Sequence, residues 1–229
     1  MISKKRCLVS AIIVLMGALV PSFAQTQTGQ TSGLTETPKT ITVNPKLKPY
    51  QLRLVYTNTP QTDDPRLVAR IVITRAGQSE AIQTLDIKSS CDDGLVSQFF
   101  KIEDINFDGY LDIAAPLAHG AKWMSFNYWV FDAQSGKFIT NALTNQLRGL
   151  GGNEMILSPK EQTIHVTRLN LGGEGTLVGE VYKVENNLLH VIAVERLVPA
   201  GAGKPNEFVP KRFKPTAADL RRFPPKEHD

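Results

Sequence analysis

Alternation of apolar and polar residues is the main structural signal along this chain. In Tyr50–Tyr56 the large apolar side chains fall on every second residue, which is the period of a half-buried β-strand. Similar short patterns, several of them rich in β-branched residues, predict further strands. These strands are predicted at residues 67–74, 81–87, 126–131, 137–140, 163–169, 177–184 and 188–194.

The strands are short, and turn residues separate them. No stretch of ten residues after residue 24 carries a convincing amphipathic helical pattern. We therefore predict an all-β fold built from antiparallel meander hairpins. A strand–turn–strand unit repeats loosely at residues 72–85, 128–143 and 181–194, which favours a small, irregular β-propeller-like arrangement. A β-sandwich is the alternative.

The first 24 residues have the composition of a secretory signal peptide. The basic segment 4–6 precedes the apolar run 8–20, and small residues lead to a cleavage position after Ala24. The apolar run is too short to span a membrane, and Cys7 precedes it, which excludes lipid attachment there. We predict an exported periplasmic protein with no membrane span after cleavage, and an uncleaved anchor is the alternative.

Composition divides the rest of the chain into three parts. Residues 25–40 are rich in Gln, Thr, Ser and Gly and predict a disordered leader. Residues 41–198 contain the predicted strands and form the expected all-β domain. Residues 199–229 are basic and rich in proline, so we expect an extended tail, with one or two helical turns at residues 217–222. Three phenylalanines could hold this tail against the domain, namely Phe208, Phe213 and Phe223.

Charge and cysteine content argue against a nucleic-acid-binding protein and against a disulfide-stabilised one. The chain carries 26 basic and 22 acidic residues, and cleavage would remove three of the basic ones, which leaves a nearly neutral protein. No basic stripe interleaves with aromatic residues, so we expect no nucleic-acid binding. Of two cysteines only Cys91 follows the signal peptide, so an internal disulfide is excluded, and we expect a buried small residue there. We expect a monomer.

The residues 104–112 carry the most specific chemical pattern in the chain. Oxygen-bearing side chains stand at relative positions 1, 3, 5 and 9, and Gly109 stands at position 6, where a sharp bend is easiest for glycine. Hard oxygen ligands in a tight loop are typical of a Ca²⁺ site. The predicted ligands are the side chains of Asp104, Asn106, Asp108 and Asp112 and the backbone carbonyl of Tyr110.

The loop is not an EF-hand. Position 12 holds Ala115 instead of a bidentate glutamate, and the flanking residues 99–103 and 110–113 predict strands instead of helices. Mg²⁺ is less favoured than Ca²⁺ because it requires octahedral geometry and retains several waters. A polar β-turn that binds no metal is the alternative.

No catalytic motif is present, so we predict that the chain is not an enzyme. The histidines lack metal-ligand spacing, and no nucleophile elbow or phosphate-binding loop occurs. A glycosidase-like carboxylate pair drawn from Glu154, Glu174 and Glu180 is the remaining catalytic possibility, and only spatial distances can decide it.

An aromatic group near the middle of the chain has two interpretations. Its members are Trp123, Phe126, Tyr128, Trp129 and Phe131. They can pack in the core on both faces of one strand, or one face can be an exposed recognition patch. Residues 119–123, just after the candidate metal loop, could form a presented loop.

The ordered set of motifs at residues 104–112, 128–138 and 181–188 resembles a family of exported bacterial immunity-type proteins with an integrin-like (FG-GAP-like) calcium loop. The resemblance spans roughly residues 85–195. It implies a propeller-like β fold, a periplasmic location, Ca²⁺ bound by the five loop residues, and inhibition of lysozyme-like peptidoglycan hydrolases. It assigns no inhibitory contact residues.

These observations support two hypotheses about function. The first is a calcium-stabilised periplasmic immunity protein whose partner is a peptidoglycan hydrolase. The second is a non-inhibitory module that binds envelope glycan or another protein through exposed aromatic residues.

Overall fold

A computed structural model describes residues 38–56, 67–120, 123–150, 154–168, 174–201 and 207–222. All of them belong to one compact unit, Ser32–Asp229. The predicted signal peptide and most of the predicted leader lie outside the described residues. Within the described segments no helix is long and apolar enough to cross a membrane.

Thirteen strands and three short helices make up the described structure. In chain order they are β1 (Lys39–Ile41), β2 (Tyr50–Tyr56), β3 (Val68–Arg75), β4 (Ala81–Asp86), α1 (Asp93–Phe99), β5 (Lys101–Glu103), β6 (Asp112–Gly120), β7 (Trp123–Asp132), β8 (Lys137–Ile139), α2 (Ala142–Gly149), β9 (Glu154–Ser158), β10 (Thr163–Thr167), β11 (Leu177–Glu185), β12 (Leu188–Pro199), β13 (Phe208–Phe213) and α3 (Ala217–Arg222).

The strands form three antiparallel sheets in which neighbours in sequence are neighbours in space. The N-terminal sheet has the order β1-β2-β3-β4, the central sheet β5-β6-β7-β8, and the C-terminal sheet β13-β12-β11-β10-β9. The prediction of an all-β fold of antiparallel meander hairpins is therefore confirmed. The N-terminal and central sheets are four-stranded meanders, as in a propeller blade, and the C-terminal sheet has a fifth strand. Closure of the sheets around an axis stays a prediction.

The central sheet packs against both of its neighbours. Ile113, Trp129 and Phe131 belong to a core cluster shared with the N-terminal sheet. Tyr128 and Val130 belong to a second cluster shared with α2 and the C-terminal sheet. Successive side chains of a strand point to opposite faces, so a sheet covered on both sides buries every residue from Tyr128 to Phe131.

This arrangement decides between the two interpretations of the aromatic group. Tyr128, Trp129 and Phe131 are buried core residues. The core interpretation is confirmed for residues 128–131, and the alternative of an exposed aromatic face does not hold there, because other sheets and α2 cover both faces. Phe126 is half-buried, and Trp123 alone of the group is exposed.

Two of the short helices were not expected from the sequence. Asp92 caps α1 by accepting a 2.8 Å hydrogen bond from the backbone N–H of Leu95. Asn141 and Thr144 form a reciprocal capping box at the start of α2. Helices this short are marginal in isolation, and the buried residues Leu143 and Leu147 of α2 stabilise it through contacts with the second core cluster.

Part of the predicted C-terminal tail belongs to the C-terminal sheet. β12 continues to Pro199, and β13 pairs with it from Phe208 to Phe213, so the sheet extends past the predicted boundary at residue 198. Pro210 is tolerated because β13 is an edge strand and one missing N–H there costs no ladder partner. At the other end, β1 begins inside the predicted leader.

The helix α3 is the element predicted as a helical turn in the tail, and an ion pair fastens it to the C-terminal sheet. Arg196 of β12 donates a hydrogen bond from Nη2 to Oδ1 of Asp219 at 2.6 Å. The other carboxylate oxygen of Asp219 accepts hydrogen bonds from the backbone N–H of Thr216 at 2.9 Å and from its hydroxyl at 2.8 Å. Burial alone would raise the pKa of Asp219, but these hydrogen bonds and the Arg196 charge outweigh it and lower the pKa.

Asp219→Asn is expected to lower the free energy of unfolding by about 1–2 kcal/mol at pH 7, the usual worth of a charge-assisted hydrogen bond. Because the pKa is lowered in the folded protein, the carboxylate stabilises the fold above the ordinary value of 3.8 and loses this effect as the pH falls below it. Urea unfolding of both proteins between pH 3 and pH 7 measures the difference. An equal difference at every pH would contradict a role for the charge.

Candidate metal centre

The predicted metal ligands lie in one loop between two paired strands. β5 ends at Glu103 and β6 begins at Asp112, and these two residues are cross-strand partners. The loop turns through left-handed backbone conformations at Phe107 (φ +61°) and Gly109 (φ +86°). A methyl group on Gly109 would meet no atom within 4 Å, so the backbone conformation, and not lack of space, favours glycine there.

Asp104, at the start of the loop, closes it by accepting hydrogen bonds from backbone N–H groups four and five residues further on. Its Oδ1 accepts a hydrogen bond from the backbone N–H of Asp108 at 3.1 Å, and its Oδ2 accepts one from the N–H of Gly109 at 2.9 Å. The first and fifth residues of the pattern are thus held close together.

Asn106 and Asp108 are in direct contact. Nδ2 of Asn106 donates to Oδ2 of Asp108 at 2.9 Å, and Oδ1 of Asp108 accepts from the backbone N–H of Tyr110 at 2.9 Å. Three predicted side-chain ligands, at positions 104, 106 and 108, therefore form one hydrogen-bonded group, and the residue that would supply the carbonyl ligand adjoins it.

Asp112 is fully buried and binds the backbone on both sides of the loop. Its Oδ2 accepts from the N–H of Ile105 at 2.9 Å, and its Oδ1 accepts from the N–H of Phe131 in β7 at 2.8 Å. This carboxylate joins the start of the loop, the start of β6 and the end of β7. The spacing pattern predicted Asp112 as a metal ligand but did not reveal this structural role.

Burial and like charges perturb the loop carboxylates. Burial raises the pKa of Asp112 to about 7, although backbone hydrogen bonds oppose the shift, and the nearby Asp108 charge raises it further. Burial also raises the pKa of Asp104, and Asp108 again contributes. The loop thus gathers negative charge in a partly desolvated place, where a cation would be stabilising.

The donor set of three carboxylates, one amide and one backbone carbonyl suits a hard cation. Among the described residues no three His, Cys, Asp or Glu side chains form a group ready to hold a metal ion. Hydrogen bonds within the loop occupy the oxygens of Asp104 and Asp108 instead. A carboxylate has about four lone-pair positions, so Asp112 can keep its backbone partners and still offer an oxygen. The five predicted residues therefore carry the oxygen donors that Ca²⁺ prefers, with Asp104 already directed across the loop.

The loop is also fastened to the segment between β1 and β2. Asn44 donates from Nδ2 to the carbonyl of Gly109 at 2.9 Å, and the N–H of Leu111 donates to the carbonyl of Val43 at 2.9 Å. The ring of Tyr110 stacks on Phe131 with centroids 5.5 Å apart. Sequence reasoning missed these supports, since a single asparagine in a loop gives no signal of a partner 65 positions away.

Glu180 and His165 lie beside charged partners, and the remaining candidate groups are either exposed or buried. Glu180 is fully buried and forms an ion pair with Arg168; burial raises the pKa of Glu180, and the Arg168 contact opposes the shift. Glu154 and Glu174 are exposed. Cys91 is buried, as predicted. His165 lies half-buried in β10 beside Glu195, with 3.1 Å between Nε2 and Oε2. The absence of enzymatic activity stays a prediction.

No protein-family model matches the chain, and no curated protein matches it. One solved structure, described as a Xanthomonas type IV secretion system related protein, is similar at a TM-score of 0.48 and 15% identity. The similarity covers 81% of this chain and 98% of that one. A match below a TM-score of 0.5 carries no argument about function.

Proposed function

We propose that this chain is an exported, calcium-stabilised protein of the immunity type, which inhibits a peptidoglycan hydrolase by occupying its substrate cleft. The observation that carries the proposal is the position of the candidate metal loop. Through Asp112 it fastens the beginning of β6 to the end of β7, which are the two roots of one hairpin.

Ca²⁺ would act structurally in this scheme. The side chains of Asp104, Asn106, Asp108 and Asp112 and the carbonyl of Tyr110 would hold it, and the ion would offset the charge that these carboxylates gather. A hairpin with fixed roots presents its tip with less loss of conformational freedom on binding, which favours affinity.

Occlusion needs a rigid surface and no reacting group. The central sheet meets this requirement because both of its faces contact other sheets or α2. The periplasmic location rests on the predicted signal peptide at residues 1–24, and the choice of a hydrolase as partner rests on the family resemblance of residues 85–195.

A turbidity assay on peptidoglycan tests the proposal. The full chain, exported and purified from the periplasm, is added to lysozymes of the c, g and phage types and to the hydrolase encoded beside it, if one is encoded there. We expect the peptidoglycan suspension to clear more slowly with at least one enzyme when this protein is added at about the same molar concentration as the enzyme. Unchanged clearing with all of them would refute the proposal.

The second candidate is a non-inhibitory module that binds envelope glycan. The exposed indole of Trp123 favours it, because flat aromatic rings stack on sugar faces. Retention of the chain on purified peptidoglycan sacculi, together with no inhibition in the turbidity assay, would favour this candidate over the first.

A further inference from the structure

The β6–β7 hairpin ends in an arm. Among the described residues, this arm is paired only between its own two strands. β5 pairs with β6 as far as Ala114, and β8 pairs with β7 between Val130 and Asp132. Further along, the described ladder consists of β6 and β7 alone. We use "hairpin arm" for its last pairs, which are Ala118 with Ser125, His119 with Met124, and Gly120 with Trp123.

Two hydrogen bonds brace the arm at its base. The backbone N–H of Ser90 donates to the carbonyl of Leu117 at 2.8 Å, and Nδ2 of Asn127 donates to the carbonyl of Ile87 at 2.7 Å. These bonds hold one residue just below the arm on each strand. Within the arm, the hydroxyl of Ser125 donates across to the carbonyl of Ala118 at 3.3 Å.

Trp123 lies on Gly120 at the end of the arm. A Cβ on Gly120 would fall 2.2 Å from Nε1 of Trp123, so the indole occupies the space that any other residue would fill. The indole is nevertheless 48% exposed, whereas Trp129 in the core is 7% exposed. A large aromatic side chain is therefore accessible and packs on the facing strand at Gly120.

We infer that Trp123, seated on Gly120, is the anchor that enters the sugar-binding cleft of a lysozyme-like peptidoglycan hydrolase; this inference rests on the proposed function. Tryptophan is enriched among residues that dominate binding energy. Packing on Gly120 restricts the indole before binding, which reduces the side-chain entropy lost in the complex. The described part of the arm is two strands wide, with roughly 4.8 Å between strands, a width comparable to that of one polysaccharide chain.

The indole suits the chemistry of such a cleft. A cleft that binds pyranose rings offers both apolar surfaces to the ring faces and acceptors to the hydroxyl groups. Indole presents a flat apolar face and a single N–H donor at its edge, so it can occupy the position of a sugar ring. A flat partner surface would offer no pocket for a single aromatic side chain at the end of a narrow arm.

Three variants test the anchor against the hydrolase that the wild-type protein inhibits. Trp123→Ala is expected to raise the inhibition constant by about 30-fold or more, as truncation of a central anchor does. Gly120→Ala keeps the indole but displaces it, and a rise of about 3- to 10-fold is expected. Ile156→Ala is the matched control, because Ile156 is also an exposed apolar residue, 51% exposed, but lies on another sheet. The inhibition constant of this variant should equal that of the wild-type protein.

Fluorine NMR of the intact protein gives a second readout. The chain has two tryptophans, so 5-fluorotryptophan labelling gives two signals, and Trp123→Ala assigns them. Adding the inhibited hydrolase is expected to shift the Trp123 signal and to leave the Trp129 signal unchanged.

The outcomes separate the inference from the proposed function. If the wild-type protein inhibits a hydrolase and Trp123→Ala inhibits it equally well, the anchor is refuted and the inhibitor function stands. If no hydrolase is inhibited, both are refuted. In that case a Trp123 shift with soluble peptidoglycan fragments would assign the arm to glycan binding instead.

Discussion

Asp112→Ala is expected to lower the free energy of unfolding by about 3–5 kcal/mol, because it leaves buried backbone N–H groups without an acceptor. The carboxylate accepts hydrogen bonds from Ile105 and Phe131, which are 0% and 2% exposed. For a domain of this size, roughly 2–4 °C of melting temperature accompanies each kcal/mol, so a fall of about 6–20 °C is expected. Guanidinium unfolding in the presence of a chelator measures the effect without any contribution from metal.

Asp108→Ala is the control for this prediction. Asp108 is exposed, and its partners Asn106 and Tyr110 lie in the loop itself, so the loss in chelator should stay below about 1 kcal/mol. Equal losses for the two variants would show that Asp112 has no special structural role.

Calcium is expected to raise the melting temperature of the wild-type protein, because an ion bound only by the folded state stabilises that state. Exported modules commonly bind Ca²⁺ with a Kd of about 10⁻⁴–10⁻³ M. At a concentration 100-fold above Kd the gain is about 2.7 kcal/mol, which corresponds to roughly 5–11 °C. Thermal unfolding in excess chelator and in excess calcium measures the difference.

The same comparison on Asp108→Ala separates a loop site from general salt effects. This variant should melt at nearly the same temperature in calcium and in chelator. A wild-type protein whose melting curve is identical in both conditions would contradict the calcium prediction and would favour the metal-free β-turn that the spacing also allows.

Prediction from sequence succeeded where a local pattern is sufficient. Alternation located β2 and the hairpin of β11 and β12, because residues on one face of a strand share the same environment. The strand β7 was also located, at residues 126–131, but its burial does not alternate, because residues 128–131 are all buried. A strand covered on both sides has no alternation in burial, and coverage by two other sheets is not a local property.

Prediction from sequence missed three further elements for a related reason, namely the helices α1 and α2 and the strand β13. Each is short and depends on contacts made far away in sequence. α2 depends on residues of the second core cluster, and β13 depends on the edge of β12. Local propensity predicted a proline-rich tail, and the available edge of the C-terminal sheet decided that Phe208–Phe213 pairs as a strand.

The sequence by itself determined the β class of the fold, the meander order of its strands and the position of the acidic loop, because periodicity and residue spacing are local properties of the chain. Only the tertiary structure decided that Asp112 is a buried clamp on β7, that Tyr128 and Trp129 belong to the core, and that Trp123 stands exposed on Gly120. These features depend on which surfaces meet when three sheets pack together. Burial and long-range hydrogen bonds therefore give residues of the same type different roles, as with the exposed Asp108 and the buried Asp112.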